Sequence, residues 1–254
     1  MRLIPACLAC AFCLAGQQLT VMTYNIHHGE GADGTIDLGR IARVITAAAA
    51  DLVALQEVDV RTQRAGSADQ AHELARLTRM HVVFGRTIPY QGGLYGNAVL
   101  SRWPVNGFVN HPLPFTPGRE KRGILDAEIE YPGLAAFRFL ATHFDITAAD
   151  RRGAAARLGE ILTERPSGPP MILAGDLNDV PGSESLAALG DDWRSATAGQ
   201  ALPTSPAAGP KRQIDYILFR PAARWRAVAV RVVDEPVASD HRPLVAVLEL
   251  APAP

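Results

Sequence analysis

A chain of 254 residues, 48% apolar and 20% charged, has an ordinary globular balance and the length for one large domain or two small ones. Its formal net charge of −1 excludes the overall basic surplus that carries a dedicated nucleic-acid binder, although a local basic patch stays open. The only cysteines, Cys7, Cys10 and Cys13, crowd into the N-terminus.

Those cysteines sit in an apolar stretch, Leu3 to Ala15, with Arg2 before it and Ala15-Gly16 after it. Their spacing imitates a metal run, but the surroundings resemble a short secretory signal peptide. The stretch is shorter than the roughly 20 apolar residues that span a bilayer. Residues 1–16 are therefore expected to be a signal peptide and residues 17–254 one folded domain, in a secreted or periplasmic protein. Lipidation at Cys7 or Cys10 fits the preceding residues poorly, and a cytoplasmic location is the alternative.

Leu19–Tyr24 alternates apolar and polar residues and predicts a strand. Asp37 can cap a helix running to about Ala50, with Leu38, Ile41, Ile45 and Ala48 on one face. Leu52–Leu55 predicts a buried strand ending at Gln56-Glu57, and Ser67–Thr78 a second helix. His81–Phe84 is strand-like, Gly92-Gly93 marks a turn, and Asn97–Leu100 follows as a strand. Ile124–Ile129 and Phe137–Thr142 predict an antiparallel pair about a Tyr131-Pro132-Gly133 turn. Ala148–Leu162 has helical spacing, and Met171–Ala174 is a strand opening into Gly175-Asp176-Leu177-Asn178. Ser183 can cap a short helix through Leu189. Gly199–Gln213, rich in Pro, Gly and Ala, predicts a loop at a site rim. Ile214–Phe219, Trp225–Val233 and Leu244–Leu250 complete the strands. The order predicts one α/β domain, two packed sheets with helices outside.

Four of the apolar strands deliver Asn, Glu, Asp or Asp-His to one rim, a pattern suited to hydrolysing a phosphoester. The substrate is anionic and repels nucleophiles; a divalent cation neutralises it and acidifies bound water. Magnesium wants hard oxygen ligands and keeps several waters. Glu57 is the first candidate ligand, because a lone carboxylate after an apolar strand is costly without a partner. Asn25, through its amide oxygen, and Asp240 are the others. His241 can take a proton from the water, with Asp215 orienting it. Asp176 can align that water and Asn178 hold a phosphoryl oxygen. Both fall on one side of an extended segment. His143 can bind the phosphate or protonate the leaving oxygen. Each residue alone has an ordinary structural reading; their joint occurrence does not.

The stretches Thr23-Tyr24-Asn25, Leu55-Gln56-Glu57-Val58, Gly96 to Arg102, Thr142-His143, Gly175-Asp176-Leu177-Asn178, Ile214-Asp215-Tyr216 and Ser239-Asp240-His241 together resemble the endonuclease/exonuclease/phosphatase superfamily. The resemblance covers Leu19 to Leu250. It implies a four-layer α/β sandwich, two packed mixed β-sheets flanked by helices, and a Mg2+- or Mn2+-dependent phosphoesterase. It implies Asn25, Glu57 and Asp240 as the metal shell and His241 with Asp215 as the water-activating pair. Asp176 and Asn178 stand around the nucleophile and phosphate. His143 matches the branch of deoxyribonucleases and sphingomyelinases, where abasic-site enzymes carry tyrosine. Asn25-Ile26-His27-His28-Gly29, with Asp33-Gly34 and Asp69-Gln70, is similar to small bacterial hydrolases of this superfamily. There His27 and His28 either line the pocket or form a solvated turn. Asn97 and Arg122 are weaker substrate-binding candidates.

Two substrates compete. A nuclease needs a basic groove, which the net charge supports little; a lipid head-group or small phosphoester hydrolase needs only a pocket, and is favoured. Trp103-Pro104 and Pro112-Leu113-Pro114-Phe115 are candidates for a peripheral membrane contact. The chain is expected to act as a monomer. A non-catalytic binding module is disfavoured because no expected position is substituted, and a cytoplasmic DNA-repair enzyme because of His143.

Overall fold

Most central strands bury both faces, and their period-two alternation sends successive side chains into different cores. On β1 (Gln17–Asn25), Leu19 and Val21 enter one core while Met22 and Tyr24 enter another. On β2 (Leu52–Val60), Leu52 and Ala54 divide from Val53 and Leu55 in the same way. The computed structural model describes residues 17–132, 136–163 and 168–251. The expected signal peptide, its three cysteines and the end of the Tyr131-Pro132-Gly133 turn lie outside these.

The first sheet orders its strands β11 (Trp225–Val232), β12 (Leu244–Leu250), β1, β2, β4 (Gly93–Ser101), β3 (His81–Tyr90). The second runs β5 (Val105–Pro112), β6 (Gly123–Ile129), β7 (Phe137–His143), β8 (Met171–Asp176), β10 (Asp215–Arg220), β9 (Arg194–Ser195). Each is mixed: β1 and β2 are parallel, as are β7 and β8, and the other pairs are antiparallel. The parallel pairs are joined by α1 (Leu38–Ala47) and α3 (Ala148–Thr163). Val21, Leu52, Phe139, Ile172 and Ile217 fill the space between the sheets. Ile41 and Ile45 of α1, with Leu74 of α2 (Gln70–Thr78), cover the first sheet. Leu158 and Ile161 of α3 cover the second. This is the expected four-layer sandwich.

Several boundaries moved. Helix α1 stops at Ala47 because Ala49 takes φ 52°, ending the ladder without a glycine. Helix α2 begins at Gln70, not Ser67, because Asp69 caps it by accepting from His72 N at 3.2 Å. Ser183 occupies the N-cap position of α4 (Glu184–Ala187), which is shorter than expected. Strand β5 had no sequence signal: it is an edge strand with exposed Phe108 and Val109, so alternation never developed. Of the candidates for membrane contact, Trp103 lies 4.5 Å from the Tyr131 ring and Leu113 is buried, while Pro104, Pro112, Pro114 and Phe115 are exposed. No helix among the described residues is long and apolar enough to cross a membrane.

Candidate active site

The parallel pairs fix where polar side chains emerge. In the β1–β2 register Asn25 faces Gln56, and in the β7–β8 register His143 faces Asp176. Strand β10 runs antiparallel to β8 and starts at the same end, so Asp215 stands opposite Asp176. Gly175 sits against the Thr142 carbonyl so closely that a Cβ there has no room, which keeps β7 and β8 tight at this rim.

Glu57 reaches the rim through a bulge. The β2–β4 register shifts between Leu55 and Val58, and Glu57 takes φ 60°, a conformation side chains other than glycine's avoid. Its Oε1 accepts from Asn25 Nδ2 at 2.9 Å, and the same nitrogen lies 3.3 Å from Asp176 Oδ2, tying the sheets together. The Asn25 oxygen accepts from His27 N at 3.1 Å.

Asp176 and Asp215 are buried like charges on facing strands, which is costly without a cation between them. His241 supplies it: Nδ1 is 2.9 Å from Asp215 Oδ2, and Nε2 is 3.7 Å from Asp176 Oδ2. Burial alone would lower the His241 pKa, but Asp215, Asp176 and Asp240 together push it up to about 10. Burial and then the neighbouring Asp215 charge raise the Asp176 carboxyl. Thr204 Oγ1 donates to Asp215 Oδ2 at 2.5 Å, while Asp215 Oδ1 is buried with no partner among the described residues.

His143 is held by Arg122, whose Nη1 lies 2.7 Å from Nδ1. A guanidinium only donates, so Nδ1 accepts and the proton sits on Nε2. That nitrogen lies 3.5 Å from Asp176 Oδ2 and 3.1 Å from Asn178 Nδ2. Burial, then the charges of Arg122 and His241, hold the His143 pKa well below its usual value. Asn178 adopts φ 51°, its N–H bonded to Asp176 Oδ1 at 2.9 Å and its amide to the Phe144 carbonyl at 3.0 Å.

Asp240 lies on the solvent side of this cluster, near enough for its charge to act on His241. It is exposed, and its Oδ1 accepts from Ser239 Oγ at 3.4 Å rather than from Asn25. Asn97 is buried with its amide bonded to the Gly123 carbonyl at 3.0 Å, so it anchors the start of β6 beside Arg122. The predicted rim loop does reach the site: besides Thr204, Ala207 N donates to the Asp240 carbonyl at 2.7 Å. Thr204 was hidden within a Pro- and Gly-rich stretch. Ser239, whose Oγ ties to the Asn25 carbonyl at 2.7 Å, had a weak signal in its place before Asp240-His241.

The donors suit a divalent cation. Two carboxylates crowd one neutral amide, and a buried carboxylate oxygen is left without a partner, an oxygen-rich surplus of negative charge that a hard ion offsets. Next to Glu57 opens a cavity of about 210 Å³ lined by Arg64, Tyr90, Tyr95, Glu120 and Arg122. Arg64 is spoken for, with Nε 2.6 Å from Asp59 Oδ2 and its guanidinium 4.6 Å from the Tyr90 ring centre.

Residues 22–241 match the Endonuclease/Exonuclease/phosphatase family. The chain is 29% identical over 243 residues to the uncharacterized protein YbhP of Escherichia coli K12, covering 91% of this chain and 96% of that one. An endonuclease/exonuclease/phosphatase from Beutenbergia cavernae has a similar crystal structure, with 31% identity and a TM-score of 0.74 over 93% of this chain and 72% of that one. The mannosyl-6-phosphatase Bt3783 of Bacteroides thetaiotaomicron shares the fold, with a TM-score of 0.76 at 18% identity over 91% of this chain and 99% of that one.

Proposed function

The chain belongs to the endonuclease/exonuclease/phosphatase family, hydrolases of phosphoester bonds, and we propose that it is a divalent-metal-dependent hydrolase of small or lipid head-group phosphoesters. The observation that carries this is the joining of Asn25 and Glu57 to the Asp176–His241–Asp215 cluster across the two sheets. Mg2+ or Mn2+ would be held by Glu57 and Asn25, with Asp240 as a further oxygen ligand. When bound, the cation neutralises phosphoryl charge and acidifies water.

The chain's own residues do the rest. Asp215 fixes His241 Nδ1–H and leaves Nε2 facing Asp176. The water's proton passes to this coupled pair, which titrates as a unit. His143, neutral and held by Arg122, presents Nε2–H as a hydrogen-bond donor to a phosphoryl oxygen. Held well below its usual pKa, His143 is neutral near pH 7 and carries no imidazolium proton to give, so binding is favoured over protonating the leaving oxygen. Asn178 holds a second phosphoryl oxygen.

Two features favour a small substrate over a polynucleotide. The net charge is −1, and the cations beside the site are already engaged, Arg64 by Asp59 and Arg122 by Glu120 at 2.9 Å. A nucleic-acid track needs cations free to replace counterions. The cavity beside Glu57, about 210 Å³, lies below the range that holds a drug-sized ligand.

Phosphate or nucleotide release from plasmid DNA, a bis-aryl phosphodiester, sphingomyelin, phosphatidylinositol and inositol phosphates, with magnesium or chelator, tests this. Magnesium-dependent turnover of a small or lipid ester, lost in Asp176→Ala, is expected. Preferential cutting of DNA would replace the substrate assignment with a nuclease. Turnover unaffected by chelator would overturn the metal dependence.

A further inference from the structure

The turn after β1 carries two adjacent histidines that the hydrolytic machinery above leaves unused. His27 and His28 both have left-handed backbones, φ 45° and 44°. Such conformations persist only where the surroundings enforce them. Here Gln70 of α2 donates to the His28 carbonyl at 2.6 Å, and Glu30 N bonds the His27 carbonyl at 2.8 Å. The consequence is unusual for neighbours in sequence. Both imidazoles turn to the same side, ring centres 4.4 Å apart, and each offers a ligand atom within 4.8 Å of the other and of a Glu57 oxygen.

Glu30 sets the tautomers. Its carboxylate lies 3.2 Å from His28 Nε2, and its carbonyl 3.3 Å from His27 Nδ1. Each imidazole thus donates one N–H to Glu30 and keeps a lone pair on the other nitrogen. This is the pairing of a metal-bound histidine, whose remote nitrogen donates to a carboxylate or carbonyl. His28 is 6% exposed, and its Nδ1 is buried with no partner among the described residues. A solvated turn would leave that nitrogen to water; here it is sequestered beside a second imidazole and a carboxylate.

Two imidazole nitrogens and one carboxylate are the donors of an open zinc site, whereas magnesium prefers oxygen alone. We propose that His27, His28 and Glu57 form a second cation site on the rim, selective for a nitrogen-preferring first-row transition ion such as zinc. It rests on the reading of Glu57 as a metal ligand, but takes its other ligands from the histidine turn rather than from Asn25 and Asp240.

Cobalt is the probe, since its visible absorption reports imidazole coordination. The full chain, with Cys7, Cys10 and Cys13 alkylated so that thiolates do not bind, is titrated with Co2+ in saturating Mg2+. One equivalent producing a visible band is expected. His28→Gln and His27→Gln should each abolish the band or weaken binding at least tenfold, while His241→Gln keeps it. Glu30→Gln should weaken binding by about 10–100-fold. A band unchanged in both histidine-turn variants, or lost only in His241→Gln, overturns the site; the latter result assigns the ion to Asp176, Asp215 and His241. Absence of any band in the unmodified sequence also overturns it. If His28→Gln fails to fold, His27→Gln decides, since that side chain is partly exposed on the turn. Magnesium-dependent turnover is scored separately: turnover with no histidine-turn band sinks this site alone, and a band without turnover sinks the hydrolase reading alone.

Discussion

Thr204, Asp215 and His241 form a chain of hydrogen bonds in which each member fixes the next. Their worth differs by charge. Asp215→Asn removes the carboxylate that orients His241 and sets which nitrogen carries its proton. It is expected to lower kcat by about 10²–10⁴-fold with little change in KM, in steady-state kinetics on the best ester. Thr204→Val removes one neutral donor to that carboxylate, an effect of about 1 kcal/mol, or several-fold in rate. Equal losses in the two variants would mean Asp215 acts only as a scaffold. The charged residues were legible in sequence because polar groups at the ends of apolar strands are costly unless used. Thr204 was not, and Ser239 and Gln70 entered only as members of motifs, with no role of their own. Their importance lies in bonds to residues distant in the chain, as when Gln70 joins the Asp59 N–H to the His28 carbonyl. No local spacing encodes such a bond.

A single bulge decides what β2 delivers. Regular alternation predicts Glu57 on one face of a plain strand; the shift between Leu55 and Val58 re-aims it with φ 60°. Side chains in that conformation are strained, and glycine is not. Glu57→Ala and Glu57→Gly should both lose activity. The glycine variant should be the more stable of the two by about 1 kcal/mol in denaturant titration, because it alone relieves the backbone. Equal stability would show that the bulge is unstrained. The bulge also explains why sequence reading ended β2 at Leu55: apolar character gives way to Gln56-Glu57, although the strand continues to Val60. Strand β5 escaped for the complementary reason, an edge position with no second face to bury. Edge position alone did not hide a strand, since β3 and β11 are also edges and were read from their apolar residues.

At the scale of the molecule, the two sheets repeat one plan. The run β5, β6, β7, α3, β8, α4, β9, β10 has the same pairings as β11, β12, β1, α1, β2, α2, β3, β4, with the chain passing from β4 directly to β5. Asn25 therefore comes from the same place in one half as His143 in the other; Gln56 is the register counterpart of Asp176, Glu57 follows it by one residue, and the site forms where the halves meet.

That arrangement leaves the outer face of β6 and β7 to a different cluster, in which Asp126 bonds Arg138 through both oxygens and approaches His111 at 3.4 Å. Burial alone would raise the Asp126 pKa, but His111 and Arg138 reverse it and hold the carboxyl below its ordinary value. The unfolded chain then binds this proton more tightly than the folded one. The pair's stabilisation is complete above the unfolded value of about 3.9 and disappears as pH falls through the lower folded value. Asp126→Asn leaves Arg138, 5% exposed, without its counter-charge, and should cost about 3–5 kcal/mol at pH 7. Below the folded pKa the parent chain carries a neutral carboxyl at the same position. The difference between parent and variant in urea unfolding should therefore shrink steadily from pH 4 downward. A gap that stayed constant with pH would mean that Asp126 matters through shape and hydrogen bonding rather than through its charge.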